Sequence, residues 1–175
     1  SLVEELASFI GDRLRRYFLD RDAGLTTETF EAVMERQPKS LLDFYRRLAA
    51  VQTFARMEQA QSLAAANKRT ANILRQAGDP EGLKINRKLL SDEAEQSLFN
   101  ALENARDKVE PMILQRQYAE ALSTLADLRD PVDHFFDDVM VMADDEAVKN
   151  NRLALLSELR ALFLDVADIS RISLR

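Results

Sequence analysis

The chain has 175 residues, of which 46% are hydrophobic and 31% are charged, and it carries a net charge of −6. It contains no cysteine and one histidine, which excludes disulfides, thiolate metal sites and multi-histidine metal sites. No run of about 18 uncharged apolar residues occurs, so we expect no membrane-spanning segment. The chain begins without Met and without the basic and apolar regions of a secretory signal. We therefore expect it to be a piece of a longer, cytoplasmic protein.

The charge is unevenly distributed along the chain. Residues 1–76 carry a net charge of +2, whereas residues 77–130 and residues 131–175 carry −4 each. A chain that is acidic overall is not expected to bind nucleic acid indiscriminately. The basic first part either faces an anionic partner or is an ordinary solvated surface.

Apolar residues recur at helical spacing almost throughout, which predicts a series of helices. The first helix has an apolar stripe from Leu2 to Tyr17 and ends before Gly24, a residue type common at helix C-termini. Thr26 or Thr27 is expected to cap a short second helix. Ser40 is expected to cap the third.

A fourth helix is predicted from about Glu58 to Gln76, and the helix breakers in residues 78–82 mark the loop that follows. Ser91 is expected to open a fifth helix. Pro111 either kinks that helix or begins the next one.

The last two helices have distinct starting signals. Asp130 and Pro131 are expected to be the N-cap and the first residue of one helix, and the final helix is expected after Asp144 and Asp145. Only residues 139–142 have a strand-like pattern. The sequence therefore predicts an all-α helical bundle with short connections, in which residues 1–175 form a single domain.

Signatures of catalysis are absent from the sequence. The four glycines do not have the spacing of a phosphate-binding loop or of a dinucleotide-binding fingerprint. The acidic runs at residues 137–138 and 144–146 lack the alternating ligands of a calcium loop, so they either attract a cation or form solvated turns. His134 is interpreted as structural. We expect no catalytic residue, cofactor or metal in this chain.

Arg13 falls in the middle of the apolar stripe when the first helix is drawn as a wheel. A guanidinium buried there needs a carboxylate or carbonyl partner, because leaving it unpaired is strongly unfavourable. Arg13 is therefore either a structural ion-pair partner or a group reserved for a ligand.

The fourth helix has a polar face. On its wheel, Lys68, Asn72 and Arg75 lie opposite the apolar stripe, and Arg69 lies on the flank. Two cations and an amide on one helical face can bind phosphates and hydrogen-bond to base edges. The alternative is a solvated face with no ligand.

Two long motifs resemble a known family. Residues 130–143 read DPVDHFFDDVMVMA and residues 64–74 read AAANKRTANIL. Both are closely similar to the C-terminal region of bacterial glycyl-tRNA synthetase beta subunits. Residues 9–15, 41–44 and 162–170 also resemble that family, in the same order.

The resemblance implies a helical anticodon-binding domain related to those of arginyl- and cysteinyl-tRNA synthetases. It implies glycine tRNA as the ligand, bound through the anticodon stem-loop by phosphate contacts, base hydrogen bonds and stacking. It also implies an alpha2beta2 tetramer, in which the alpha subunit carries aminoacylation and the complex uses ATP and magnesium.

The resemblance also directs attention to particular side chains. Tyr17 or Tyr45 is expected either to stack on a base or to belong to the core, and the Phe135–Phe136 pair is interpreted as packing. The candidate tRNA contacts are Asn67, Lys68, Arg69, Asn72 and Arg75, with Arg13, Arg16, Arg46 and Arg47 as a second basic group.

Two other functions compete with tRNA binding. In the first, the acidic half of the chain docks another subunit or domain, and an exposed apolar patch near the last helix would favour this. In the second, two facing carboxylates make a small helical enzyme.

Overall fold

A computed structural model describes residues 2–21 and 25–173, except for the side chains of residues 2–10 and of residue 21. The described ranges contain no strand, so the predicted all-α fold is confirmed. Three short 3₁₀ helices occur at Arg87–Leu89, Ala126–Leu128 and Ile169–Arg171. The α-helices are α1 (Leu2–Arg21), α2 (Thr27–Met34), α3 (Leu41–Phe54), α4 (Ala60–Gln76), α5 (Glu93–Leu114), α6 (Tyr118–Leu125), α7 (Arg129–Asp138) and α8 (Glu146–Leu164).

Several helices begin at the capping residues that the sequence predicts. The Thr26 hydroxyl accepts a hydrogen bond from the Thr29 N–H at 3.2 Å, and the Ser40 hydroxyl accepts one from the Asp43 N–H at 3.1 Å. Asp145 caps α8 in the same way. Each side chain satisfies a backbone donor that has no partner inside the helix.

Two predicted boundaries, the starts of α5 and α7, are wrong by one residue or more, and one of the two alternatives at Pro111 is excluded. The N-cap of α5 is Asp92 rather than Ser91, because the Glu95 side chain completes a capping box there. Helix α7 begins at Arg129, so Pro131 is its third residue, still in the first turn where its missing N–H costs no helical bond. Helix α5 continues through Pro111 to Leu114, so no new helix begins at that proline.

Helix α8 is the central element of the bundle. Six consecutive residues, 151–156, are buried, so neighbouring helices cover this part of α8 on every side. Phe163 of α8 lies with its ring centroid 6.2 Å from that of Phe54 of α3. Helices α4, α5 and α6 pack against α8, while α7 packs against α4 and α5.

A buried ion pair fixes the start of α5 against α8. The carboxylate of Glu95 is fully buried and accepts hydrogen bonds from the Ser91 and Asp92 N–H groups, both at 3.0 Å. It also accepts one from Nε of Arg152 at 2.6 Å. Arg152 further donates to the Met140 carbonyl at 2.8 Å, which positions the segment between α7 and α8. Both charges are thus paired in the interior, as burial requires.

Candidate nucleic-acid interface

The predicted polar face of α4 is present on the surface. Lys68, Arg69, Asn72 and Arg75 are all exposed, and Arg75 donates a hydrogen bond to the Asn72 side-chain oxygen. In the described ranges, the Lys68 side chain makes no hydrogen bond or ion pair with another residue. The four side chains lie within two turns of one helix, so they present cations and an amide to the same ligand.

Arg69 is held by an aromatic ring on the neighbouring helix. Its guanidinium carbon lies 4.4 Å from the centroid of the Phe136 ring, a cation–π contact. The two helices are joined a second time, because the Ser62 hydroxyl of α4 donates a hydrogen bond to Asp133 of α7 at 2.5 Å. Phe135 is fully buried and Phe136 is half-buried, so the predicted packing role of this pair is confirmed.

The structure does not place Asn67 on this surface. Asn67 is 2% exposed, and its side-chain nitrogen donates to the Leu63 carbonyl at 3.0 Å. It lies one turn from Leu63 and two turns from Leu74, on the side of α4 that enters the core, so its inclusion among the surface contacts was wrong. Asn67 acts as a satisfied buried amide instead.

Arg13 is exposed, contrary to the prediction that it lies in a buried stripe. The side of α1 that packs on the core carries Leu14, Phe18 and Leu19, and Arg13 points away from that side. Tyr17 is likewise 52% exposed rather than in the core. Arg16 is exposed as predicted. The part of the predicted stripe in residues 2–10 lies outside the described side chains.

Arg46 and Arg47 point in different directions, so the predicted second basic group is divided. Arg46 is exposed on α3. Arg47 points inward, where Nε donates to Asp43 at 3.0 Å and Nη1 donates to the carbonyls of Asp165 and Val166 at 2.8 and 2.7 Å. These carbonyls lie at the C-terminus of α8 and have no helical partners. The assignment of Arg47 as a tRNA contact was therefore wrong, because its donors are used inside the protein.

The Asp43 carboxylate links α3 to α6. It accepts a hydrogen bond from the Tyr118 hydroxyl at 2.5 Å as well as the one from Arg47. Burial alone would raise the pKa of Asp43, but the bonds from Tyr118 and Arg47 and the charges of Arg47 and Arg116 hold it below its usual value. Burial and the neighbouring Asp43 raise the pKa of Tyr118. The carboxylate therefore stays ionised and the phenol stays protonated at neutral pH.

Tyr45, like Tyr17, lies on the surface and not in the core. It is 57% exposed on α3, beside the exposed Arg46. The buried side of α3 includes Phe44, Val51 and Phe54, and Tyr45 does not belong to it. In the sequence, the feature that could have indicated a nucleic-acid contact here is the adjacent pair of an aromatic residue and a cation, because such residues occur together at nucleic-acid surfaces.

The acidic residues do not form a metal site in the described ranges. No group of three or more His, Cys, Asp or Glu side chains there is arranged to hold a metal ion. His134 pairs with Asp138 one turn away on α7, at 2.7 Å. In the same described ranges, no helix combines the length and apolar character needed to cross a bilayer.

The chain is similar to one domain family and to several known proteins. Residues 63–171 match the DALR anticodon binding domain. The chain is 50% identical over 166 residues to the glycine–tRNA ligase beta subunit of Marinobacter nauticus, covering 94% of this chain and 24% of that protein. The beta subunits of Chromohalobacter salexigens and Pseudomonas putida are each 47% identical, over 98% and 97% of this chain and 25% and 24% of their own length.

The chain thus spans about a quarter of the length of the curated relatives it matches. The predicted resemblance to beta subunits of glycyl-tRNA synthetase is confirmed along nearly the whole chain. Because the domain match covers more than half of the chain, from Leu63 in α4 to the 3₁₀ helix after α8, the chain belongs to the family of DALR anticodon-binding domains.

Proposed function

We propose that this chain binds the anticodon stem-loop of glycine tRNA as part of a glycine–tRNA ligase beta subunit. The observation that carries the proposal is the exposed face of α4. No acidic residue occurs between Glu58 and Asp79, so all of α4 lacks carboxylates although the chain is acidic overall. Lys68, Arg69 and Arg75 therefore produce a local positive potential on an otherwise acidic protein.

The chemistry of this face suits RNA. Lysine and arginine bind phosphates, and the amide of Asn72 has both a donor and an acceptor for a base edge. The net charge of −6 opposes the approach of RNA at long range. We therefore expect binding by this chain to be weak and to fall steeply with salt, with contacts elsewhere in the longer protein raising the overall affinity.

The proposal extends to partners and cofactors of the larger assembly. The names of the relatives indicate an alpha subunit, and we propose an alpha2beta2 tetramer in the cytoplasm. We assign aminoacylation, with its ATP and magnesium, to the alpha subunit. Under this proposal the present chain contributes tRNA recognition and no catalytic group.

The test is a titration of the chain with a glycine tRNA transcript and with an anticodon-altered transcript, at two salt concentrations. We expect weaker binding of the altered transcript. The variant Lys68→Ala/Arg69→Ala is expected to bind at least severalfold more weakly and to remain folded. The matched control is Lys84→Ala/Lys88→Ala, which removes two exposed charges from the loop before α5. Equal affinity of the folded Lys68/Arg69 variant and the wild type would contradict the assignment of α4.

One observation favours the competing function of a subunit-docking module. Leu114, at the end of α5, is 80% exposed, and with Ile113 and Leu162 it lines an apolar groove of about 260 Å³ between α5 and α8. A folded chain that bound neither transcript but bound the alpha subunit would support docking in place of anticodon recognition.

A further inference from the structure

A second surface, lined by residues of α3 and by residues 115–120, has the composition of a base-binding groove. The groove lies between α3 and the segment that joins α5 to α6, and its volume is about 400 Å³. Small residues, Ala49 and Ala50, form part of its wall, with the buried Tyr118 beside them. Its exposed lining includes Tyr45, Arg46, Gln115, Arg116, Gln117 and Glu120.

The cations at this groove are not used in the fold. In the described ranges, the side chains of Arg46 and Arg116 form no hydrogen bond or ion pair with another residue. Arg116 acts on Asp43 only through its charge, which helps to lower the pKa of that carboxyl. Arg47, by contrast, donates hydrogen bonds to the Asp43 carboxylate and to two backbone carbonyls. The charged residues that line the groove are Arg46, Arg116 and Glu120, so the lining has a net positive charge.

Arg116 has a backbone conformation that residues with a Cβ rarely adopt, as do Gln37 and Asp79 elsewhere in the chain. Arg116 has a φ of 57°, in the left-handed region. Its N–H donates to the Ile113 carbonyl at 3.0 Å and the Gln117 N–H donates to the Met112 carbonyl at 2.8 Å. This is the Schellman ending of a helix, in which glycine is the usual residue at the left-handed position. Glycine would make the same turn without the clash of a Cβ, so the turn does not explain an arginine there.

Tyr45 supplies the complementary group. More than half of its side chain is exposed, although an aromatic ring gains free energy when it is covered. Single-stranded RNA sites combine such a ring with cations that track the phosphates, because every base has a flat face that stacks on an aromatic side chain. Side-chain amides such as those of Gln115 and Gln117 can hydrogen-bond to a base edge.

We propose that this groove binds one unstacked base of the anticodon loop, with Tyr45 stacked on the base and with Arg46 and Arg116 bound to the flanking phosphates. The proposal rests on the proposed function, and it adds a second RNA contact surface that is separate from α4. In this arrangement α4 holds the phosphates of the stem-loop, while the groove between α3 and α6 captures the base.

The experiment uses a stem-loop RNA with the glycine anticodon, in which loop positions are replaced one at a time by fluorescent 2-aminopurine. We expect one position to change its fluorescence on binding to the chain. Tyr45→Ala should abolish that change and weaken binding at least fivefold, since stacking on an aromatic side chain contributes substantially per base. Tyr45→Phe, which keeps the ring, should bind within twofold of the wild type.

Arg116→Gly separates a binding role from a structural one. It should weaken binding severalfold and reduce the salt dependence, because a phosphate contact is lost. It should also raise the Tm by about 2–4 °C, because glycine relieves the left-handed backbone. Lys84→Ala is the control for the loss of one charge, and it should leave the binding constant within twofold.

Three results would overturn the inference. If the wild type binds with anticodon dependence but Tyr45→Ala and Arg116→Gly keep full affinity, the groove is not a site while the proposed function stands. If Tyr45→Phe loses as much affinity as Tyr45→Ala, stacking is not the interaction. If the folded wild type binds no stem-loop at all, the proposed function and this inference both fail.

Discussion

The guanidinium of Arg69 lies over the ring of Phe136, 4.4 Å from its centroid. The two residues belong to the two longest family motifs. They are more than 60 positions apart in the sequence and are brought together by the packing of α7 on α4. Phe136 thus covers one side of Arg69 and limits the directions in which its charge can point. A residue interpreted as packing therefore also orients a candidate tRNA contact.

This contact predicts a binding defect without a change in charge. Phe136→Leu should weaken tRNA binding about two- to fivefold, the effect of losing an exposed cation–π interaction. The salt dependence should be unchanged, because Arg69 remains present. Phe136→Tyr keeps the ring and is the control. A tRNA titration checks this, and unchanged affinity in a folded Phe136→Leu variant would count against an orienting role.

The inward position of Arg47 predicts a loss of stability. Arg47→Ala leaves the Asp43 carboxylate with Tyr118 as its remaining donor from another helix and removes the donor to the carbonyls of Asp165 and Val166. We expect the free energy of unfolding to fall by about 3 kcal/mol. The neighbouring exposed Arg46→Ala should change it by less than about 0.5 kcal/mol. Urea denaturation measures both values. Similar losses for the two variants would show that Arg47 is not a structural link.

Asp43 predicts the pH dependence of stability. Its pKa is lower in the folded chain than in the unfolded chain, so its contribution is complete above the unfolded pKa of about 4. That contribution is lost as the pH falls through the lowered folded pKa. Asp43→Asn should therefore be less stable than the wild type at pH 6, and the difference should shrink toward pH 3. Urea denaturation across this range tests the prediction, and a constant difference would refute it.

The buried Glu95–Arg152 pair predicts a structural effect that is independent of tRNA. Glu95→Gln removes the charge that pairs with Arg152 and weakens the capping box of α5, so unfolding should become about 3 kcal/mol easier. Glu93→Gln, at an exposed position on the same turn, should have little effect. Under conditions where both variants are folded, their tRNA affinities should equal that of the wild type. A selective loss in Glu95→Gln would connect this ion pair to binding.

Much of the helix pattern was predictable because its causes are local. Thr26, Ser40 and Asp145 begin helices through hydrogen bonds to residues two or three positions away. The error at the start of α5 also has a local cause. At α5 the Glu95 side chain selects Asp92 over Ser91, a choice between two adjacent capping residues.

The sequence by itself determined the all-α class, most helix starts and the exposed face of α4, because periodicity and capping depend on nearby residues. Only the tertiary structure decided that Arg13 and Tyr45 are exposed and that Arg47 points inward. A helical wheel shows which residues share a side, but neighbouring helices determine which sides become buried. The groove at Arg116 depends on local and on tertiary structure. The turn at Arg116 is formed by neighbouring residues, whereas the opposite wall of the groove is supplied by α3.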